Sequence, residues 1–171
     1  MELKELIDKT LELFSATSPE QLTSALFAAC SDNDKLVSFY NMVNGDLSTD
    51  WLQKIYQYYL ADRREKKQDY TPTSLAKFMG MLTGNSKQIV DMCAGSGALI
   101  IQKWNLMPDA SFIALEIDDN VIPFLLFNMV LRNIRCSVFQ VNALTGEEAV
   151  KAWDVVKGEK FGNIIDIKPA V

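Results

Sequence analysis

From residue 87 onward, short apolar runs alternate with helical segments, and the first junction between them is a glycine turn, IVDMCAGSGALI, over 89–100. That alternation constrains the fold more than any other feature. KQIVDMC reads as a strand and GALIIQKWNL as a helix. SFIALEID is the next strand and NVIPFLLFNMVLRN the next helix, with Pro123 in its first turn. CSVFQVNA is a third strand, GEEAVKAWDVV a short helix and GNIIDI a fourth strand. Strands that follow helices and are apolar on both faces belong to a parallel sheet covered by helices. The expected class is α/β: a partial Rossmann-like sheet of about four parallel strands in the order 3-2-1-4.

The N-terminal part has no strand pattern. Leu3, Leu6, Ile7, Leu11 and Phe14 form one stripe of a helix over 2–15. SPEQ starts a second helix, with Ser18 as cap, Pro19 in the first turn and Gln21 reaching back. A third runs from about Asp34 to Val43 and stops near Asn44-Gly45. A fourth begins after Ser48 or Thr49 and carries Trp51, Leu52, Ile55, Tyr58 and Tyr59, an aromatic stripe that reads as core. Thr71 then caps a helix that has Pro72 in its first turn. Two domains are expected: a helical subdomain over 1–68 and the strand-helix domain over 69–171.

Composition removes several chemistries. There is no histidine, which excludes Ser-His-Asp and Cys-His nucleophile systems and His-based metal sites. Cys30, Cys93 and Cys136 are scattered, with no C-x-x-C spacing, and read as buried free thiols. No metal site and no catalytic side chain is assigned. The net charge of −5 leaves DNA binding weak at best for the chain alone, because phosphate neutralisation needs clustered Lys and Arg. The one basic run, RREKK, reads as a solvated helix end or linker. No apolar run is long enough to span a bilayer, and a cytoplasmic location is expected.

The glycine turn is selective in what it can hold. A dinucleotide fingerprint wants a third glycine where this chain has Ile100. No Lys-Ser/Thr follows the glycines, so it is not a triphosphate loop. Gly95 and Gly97 let a ligand approach the backbone closely. Asp91 puts a negative charge below the turn, which suits a cation and repels a pyrophosphate. Glu116 ends the second strand about 20 residues beyond the turn, where an acid bonds ribose hydroxyls. Asn142 follows the third strand and offers an amide to a base edge. A cationic amino acid, a ribose and an adenine together describe S-adenosylmethionine.

With these residues in order, the chain resembles the adenine-specific (N6) DNA methyltransferases, most closely the modification subunits of type I restriction-modification systems. The resemblance rests on Tyr70-Thr71-Pro72, on the turn from Asp91 to Gly97, on Glu116-Ile117 and on Asn142-Ala143, and it covers roughly 50–165. It implies a cofactor site. Tyr70, Thr71 and Pro72 lie at the methionine carboxylate, and Asp91, Met92 and Cys93 at the amine. Ala94, Gly95, Ser96 and Gly97 pass under the sulfonium. Glu116 is on the ribose, Ile117 against the adenine, and Asn142 and Ala143 at its edge.

The family's next motif, Asn/Asp-Pro-Pro-aromatic, accepts the hydrogens of the target amine and stacks on the flipped base. At the expected place this chain has Ile167-Lys168-Pro169-Ala170, and it stops at Val171, short of three further strands. The reading is therefore an S-adenosylmethionine-binding relative that is not competent alone. Two alternatives stand beside it. One is an active DNA methyltransferase completed by a partner chain. The other is a non-enzymatic module with a vestigial pocket, dimerising through the fourth-strand edge or the N-terminal helices.

Overall fold

The computed structural model describes residues 1–66 and 68–169. The first helix, α1, is Leu3–Phe14, and a short 3-10 turn at Pro19–Gln21 leads into α2, Leu22–Ala29. Ser18 makes no side-chain cap bond; Gln21 does reach back, its Oε1 accepting from the Thr17 main-chain N–H at 2.9 Å. Helix α3, Asn33–Met42, is capped by Asp32, whose carboxylate accepts from the N–H groups of Asp34 and Lys35. It ends where Asn44 and Gly45 take left-handed conformations, φ 53° and 71°. Helix α4, Trp51–Ile55, is capped by Asp50 and runs on into a π-helical turn at Tyr56–Leu60. That turn splits the aromatic stripe: Leu52, Ile55 and Tyr56 are core, whereas Tyr58 is exposed.

Helix α5, Thr73–Leu82, begins two residues later than its expected cap; Thr71 caps nothing, and Pro72 holds the cap position. Strand β1 is Gln88–Asp91, α6 is Ala98–Leu106, β2 is Ser111–Glu116, α7 is Ile122–Leu131 and β3 is Cys136–Gln140. Buried Lys103 on α6 donates to the carbonyls of Gly80 and Gly84, tying down the C-terminal end of α5, where a cation opposes the helix dipole.

The sheet departs from expectation after β3. GEEAVKAWDVV is not a helix. Its second half is β4, Lys151–Val156, and GNIIDI gives β5, Asn163–Ile167. The order is β1-β2-β3-β4-β5, not 3-2-1-4. β1–β2 and β2–β3 are parallel, while β3–β4 and β4–β5 are antiparallel. The cause is connection length. A parallel return needs a crossover of about a dozen residues or more, which α6 and α7 supply. Residues 141–150 and 157–162 are the only links around β4, and both are too short. Trp153, Val155 and Val156 also favour a strand once an open edge on β3 is there to pair with. Among the described residues β1 therefore keeps one unpaired edge.

Helix α7 is the centre of the molecule. All ten of its residues are buried, as in a helix apolar all round. It packs on α2 and α4 on one side and on β3, β4 and β5 on the other. One contiguous core thus runs from Leu6 in α1 to Phe161 after β4. Among the described residues no helix is long and apolar enough to cross a membrane.

Candidate functional site

The loop from β1 to α6 turns on two positive-φ glycines, which face different neighbours. Gly97, φ +96°, lies against α7: an added Cβ would stand 2.8 Å from Met129 Cε and 2.9 Å from Leu125 Cδ1. Gly95, φ +54°, faces the ring of Tyr70, whose Cε1 lies 3.7 Å from such a Cβ. Gly97 serves helix packing, and Gly95 serves the open side of the turn. Gly97→Ala is expected to destabilise the chain by about 1–2 kcal/mol, the cost of a left-handed conformation for an L residue. Urea unfolding measures it, and a loss within error of zero would contradict the left-handed requirement at this position.

Glu116 fastens the turn to the end of β2. Its Oε2 accepts from the Gly95 N–H at 2.8 Å, and its Oε1 accepts from the N–H groups of Ile117 and Asp118, each at 2.9 Å. Three of about four lone-pair positions are engaged. Two residues on, Asp118 gathers the chain that precedes Tyr70. Its Oδ2 accepts from Tyr56 Oη at 3.1 Å, from Lys66 Nζ at 3.0 Å and from Gln68 Nε2. Burial pushes the Asp118 carboxyl up, but the Lys66 bond and the neighbouring N–H donors outweigh it and hold the group below the usual range. The basic run is accordingly a turn, with Lys66 paired to Asp118; Lys67 lies outside the described residues.

A cavity of about 480 Å³ opens between this strap, the glycine turn and the ends of β2 and β3. That volume lies in the range of small-molecule sites. Tyr70, Thr71, Met92, Cys93, Ala94, Gly95, Ser96, Glu116, Ile117, Asn142 and Ala143 line it, as the sequence groups them. Cys93 is exposed here, so of the three thiols only Cys30 and Cys136 are buried. Pro72, Asp91 and Gly97 are not in its wall. Gln53, Lys66, Gln68, Asp69, Leu99, Val121 and Leu144 are, and none of them carries a motif. Gln68 and Asp69 had the one available signal, their place just ahead of Tyr70-Thr71.

Asp91 faces a second, smaller cavity of about 160 Å³, bounded by α5, β1 and α6. Met92 and Leu99 line both spaces and separate them. Asp91 Oδ1 accepts a long bond from the Cys93 N–H, 3.4 Å, while Oδ2 is buried with no hydrogen-bond partner among the described residues. Burial holds this carboxyl above the usual range. An orphaned buried carboxylate oxygen is what a cationic ligand would satisfy.

Behind the turn runs a buried polar network. Ser96 Oγ donates to Asp50 Oδ2 at 2.7 Å, and Asn128 Nδ2 donates to Asp50 Oδ1 at 2.9 Å and to the Ser96 carbonyl at 2.8 Å. Arg132 donates to Asn128 Oδ1 and to the carbonyls of Leu47 and Thr49, each at 2.8 Å. The helical layer, α7 and the glycine turn are fixed to one another here.

The fourth-strand motif position is elsewhere. β5 lies at the sheet edge opposite β1, and Asp166, Lys168 and Pro169 line a surface hollow with Phe27 and Trp153. Ile167-Lys168-Pro169 therefore do not stand beside the glycine turn, and Ala170 and Val171 lie outside the described residues.

Comparison with known proteins gives one result. A family model described as N-6 DNA methylase matches residues 47–159. The match takes in the cavity wall and the Asp50 network and ends before β5. No curated protein and no solved structure matches.

Proposed function

Because this chain belongs to the N-6 DNA methylase family, we propose that it binds S-adenosylmethionine in the cavity at the carboxyl ends of β1, β2 and β3. One observation carries the reading: a single cavity unites the glycine turn, the acid ending β2 and the amide following β3. Glu116 keeps a lone-pair position for a ribose hydroxyl. Ile117, largely exposed on the cavity wall, offers an apolar face to the base. Tyr70 and Thr71 in the cavity wall flank the amino acid's carboxylate, with Pro72 next in the chain, and for its ammonium to meet the orphaned oxygen of Asp91 the side chain of Met92 or Leu99, which part the two cavities, would have to be displaced. Bound there, the cofactor supplies an electrophilic methyl group.

On this reading the chain alone does not activate a target amine. Asp166 is the nearest candidate acceptor to the expected motif, and it lies on the far edge of the sheet. Two features favour completion by a partner chain as the second reading. The edge of β1 is unpaired, and Val90 and Met92 beside it are more than half exposed. A cytoplasmic restriction-modification role fits both readings, with DNA contacts coming from elsewhere, since Lys66 in the basic run is already paired.

Calorimetric titration of S-adenosylmethionine tests the proposal. Micromolar binding is expected, weakened at least about tenfold, or about 1.4 kcal/mol, in Glu116→Ala and Asp91→Ala. No heat from a folded chain would remove the cofactor reading and bring the non-enzymatic module forward. Methyl transfer to DNA by the purified chain would remove the incompetence reading.

A further inference from the structure

The strap over 62–71, which supplies one wall of the cavity, is fastened to the rest of the chain by side chains. Among the described residues no hydrogen bond between main-chain groups joins it to another part of the protein. The two it makes, from the N–H groups of Lys66 and Gln68 to the Asp62 carbonyl, close it on itself. Asp62 Oδ1 accepts from the N–H groups of Arg64 and Glu65, and Gln68 Oε1 accepts from the Asp62 N–H at 2.8 Å. None of its described residues is fully buried. Its outward bonds converge on Asp118, whose Oδ2 accepts from Lys66 Nζ at 3.0 Å and from Gln68 Nε2. Beyond these, Gln53 Nε2 donates to the Thr71 carbonyl at 3.3 Å, and the Tyr70 ring meets Tyr56 edge-on at 5.9 Å. Asp118 is itself held still: Oδ1 accepts from the Asn120 N–H at 3.1 Å and from Asn120 Nδ2 at 3.2 Å, and Tyr56 Oη donates to Oδ2. Asp118 is buried and lies outside the cavity wall, whereas Lys66, Gln68, Asp69, Tyr70 and Thr71 are in it. Gln68 closes the loop with its oxygen and reaches Asp118 with its nitrogen, so loop closure and attachment are joined in one side chain.

We propose that the strap opens and closes over the cavity as one unit, that the Asp118 carboxylate is its latch, and that a ligand in the cavity is a second fastening through Tyr70 and Thr71. A segment with little buried surface and no main-chain bonds to its neighbours opens at low cost, without the core. A ligand that touches the strap only when it is closed shifts the population toward the closed form by its differential affinity. The latch rests on the geometry of the strap alone; the ligand fastening rests on the cofactor reading above and adds a moving wall to that site.

Limited trypsin digestion of the full chain tests the latch with no ligand present, since Arg63 and Arg64 are exposed within the strap. Cleavage follows the open fraction when reclosing is fast. Asp118→Asn keeps the shape of the side chain and removes its charge and one acceptor oxygen. It is expected to speed cleavage after Arg63 and Arg64 about tenfold, the size of one net hydrogen bond, and to leave cleavage after the buried Arg132 unchanged. Gln68→Leu alters only the strap side and should act in the same direction, which keeps the proposal falsifiable if the Asp118 variant fails to fold. Equal strap cleavage in all three proteins, or a rise at Arg132 as large as the rise in the strap, overturns the latch. The second arm adds S-adenosylhomocysteine at about ten times its Kd, which is expected to slow strap cleavage of the unmodified chain about tenfold. Binding by calorimetry with no slowing overturns the ligand fastening. Failure of the compound to bind a folded chain overturns the cofactor reading and that fastening with it, while the ligand-free digestion still decides the latch.

Discussion

Asp50→Ala is expected to lower the stability of the chain by about 3–5 kcal/mol, since each buried donor left without its acceptor costs about 1–3 kcal/mol. Asp50 is buried and accepts three hydrogen bonds, from Ser96 Oγ, Asn128 Nδ2 and the Gln53 N–H. Alanine leaves each of those donors without its acceptor, and it removes the cap of α4. It also removes one of the two carboxylates, with Asp46, whose charge favours the buried Arg132 guanidinium. Burial pushes Asp50 up and Arg132 down; their attraction opposes both shifts, and Arg132 still comes down to about 10. Asp50→Asn is the informative companion. With its oxygen in the place of Oδ1 it keeps the acceptor shared by the Gln53 N–H and Asn128 Nδ2 but turns an NH2 toward Ser96 Oγ and loses the charge, so it should recover only part of the loss. Urea unfolding of the three proteins gives the values, and a loss below about 1 kcal/mol in Asp50→Ala would show that the network is not a stability element.

Phe127→Ala is expected to cost a similar 3–5 kcal/mol, from lost transfer energy and the cavity left behind. Phe127 is fully buried on α7. Its ring meets Phe14 of α1 edge-on at 5.4 Å and Phe39 of α3 edge-on at 5.3 Å. These contacts join the helical layer to the strand-helix part, and edge-to-face pairs add to the area term. For a chain of this size, the melting temperature should fall by roughly 10 °C. Phe78→Ala on the exposed face of α5 is the control, with a change within about 0.5 kcal/mol. Because the core is contiguous, far-ultraviolet and aromatic signals should fall together in the Phe127 variant. Separated transitions would show that the two parts unfold independently.

What could be read from the sequence follows from the range of the interactions involved. The strands β1, β2 and β3 and the helices between them were legible because each is long enough to show its own periodicity. The cavity wall was legible where residue type and strand end coincide, as at Gly95, Glu116 and Asn142. β4 was not legible. Eleven residues from Gly146 to Val156 fit a short helix or a strand equally well, and the free edge of β3 decides between them. Losing β4 also misplaced β5, since a strand that follows a short link can only turn back on its neighbour. Asp50, Asn128 and Arg132 gave no signal either. They are distant in sequence and belong to no motif, and only the packing of α7 against the segment before α4 brings them together. Asp91 was legible as a charge, but not its separation from the main cavity by Met92 and Leu99.

The change of strand direction at β3 also sets an order in time. Pairing of β3, β4 and β5 closes loops of ten and six residues, whereas β1, β2 and β3 can register only after α6 and α7 have formed and docked. Local closures come early and distant ones late. The antiparallel meander, made after the parallel strands by the ribosome, is thus the part able to assemble soonest, and the glycine turn after β1 is completed only when the slow parallel half arrives.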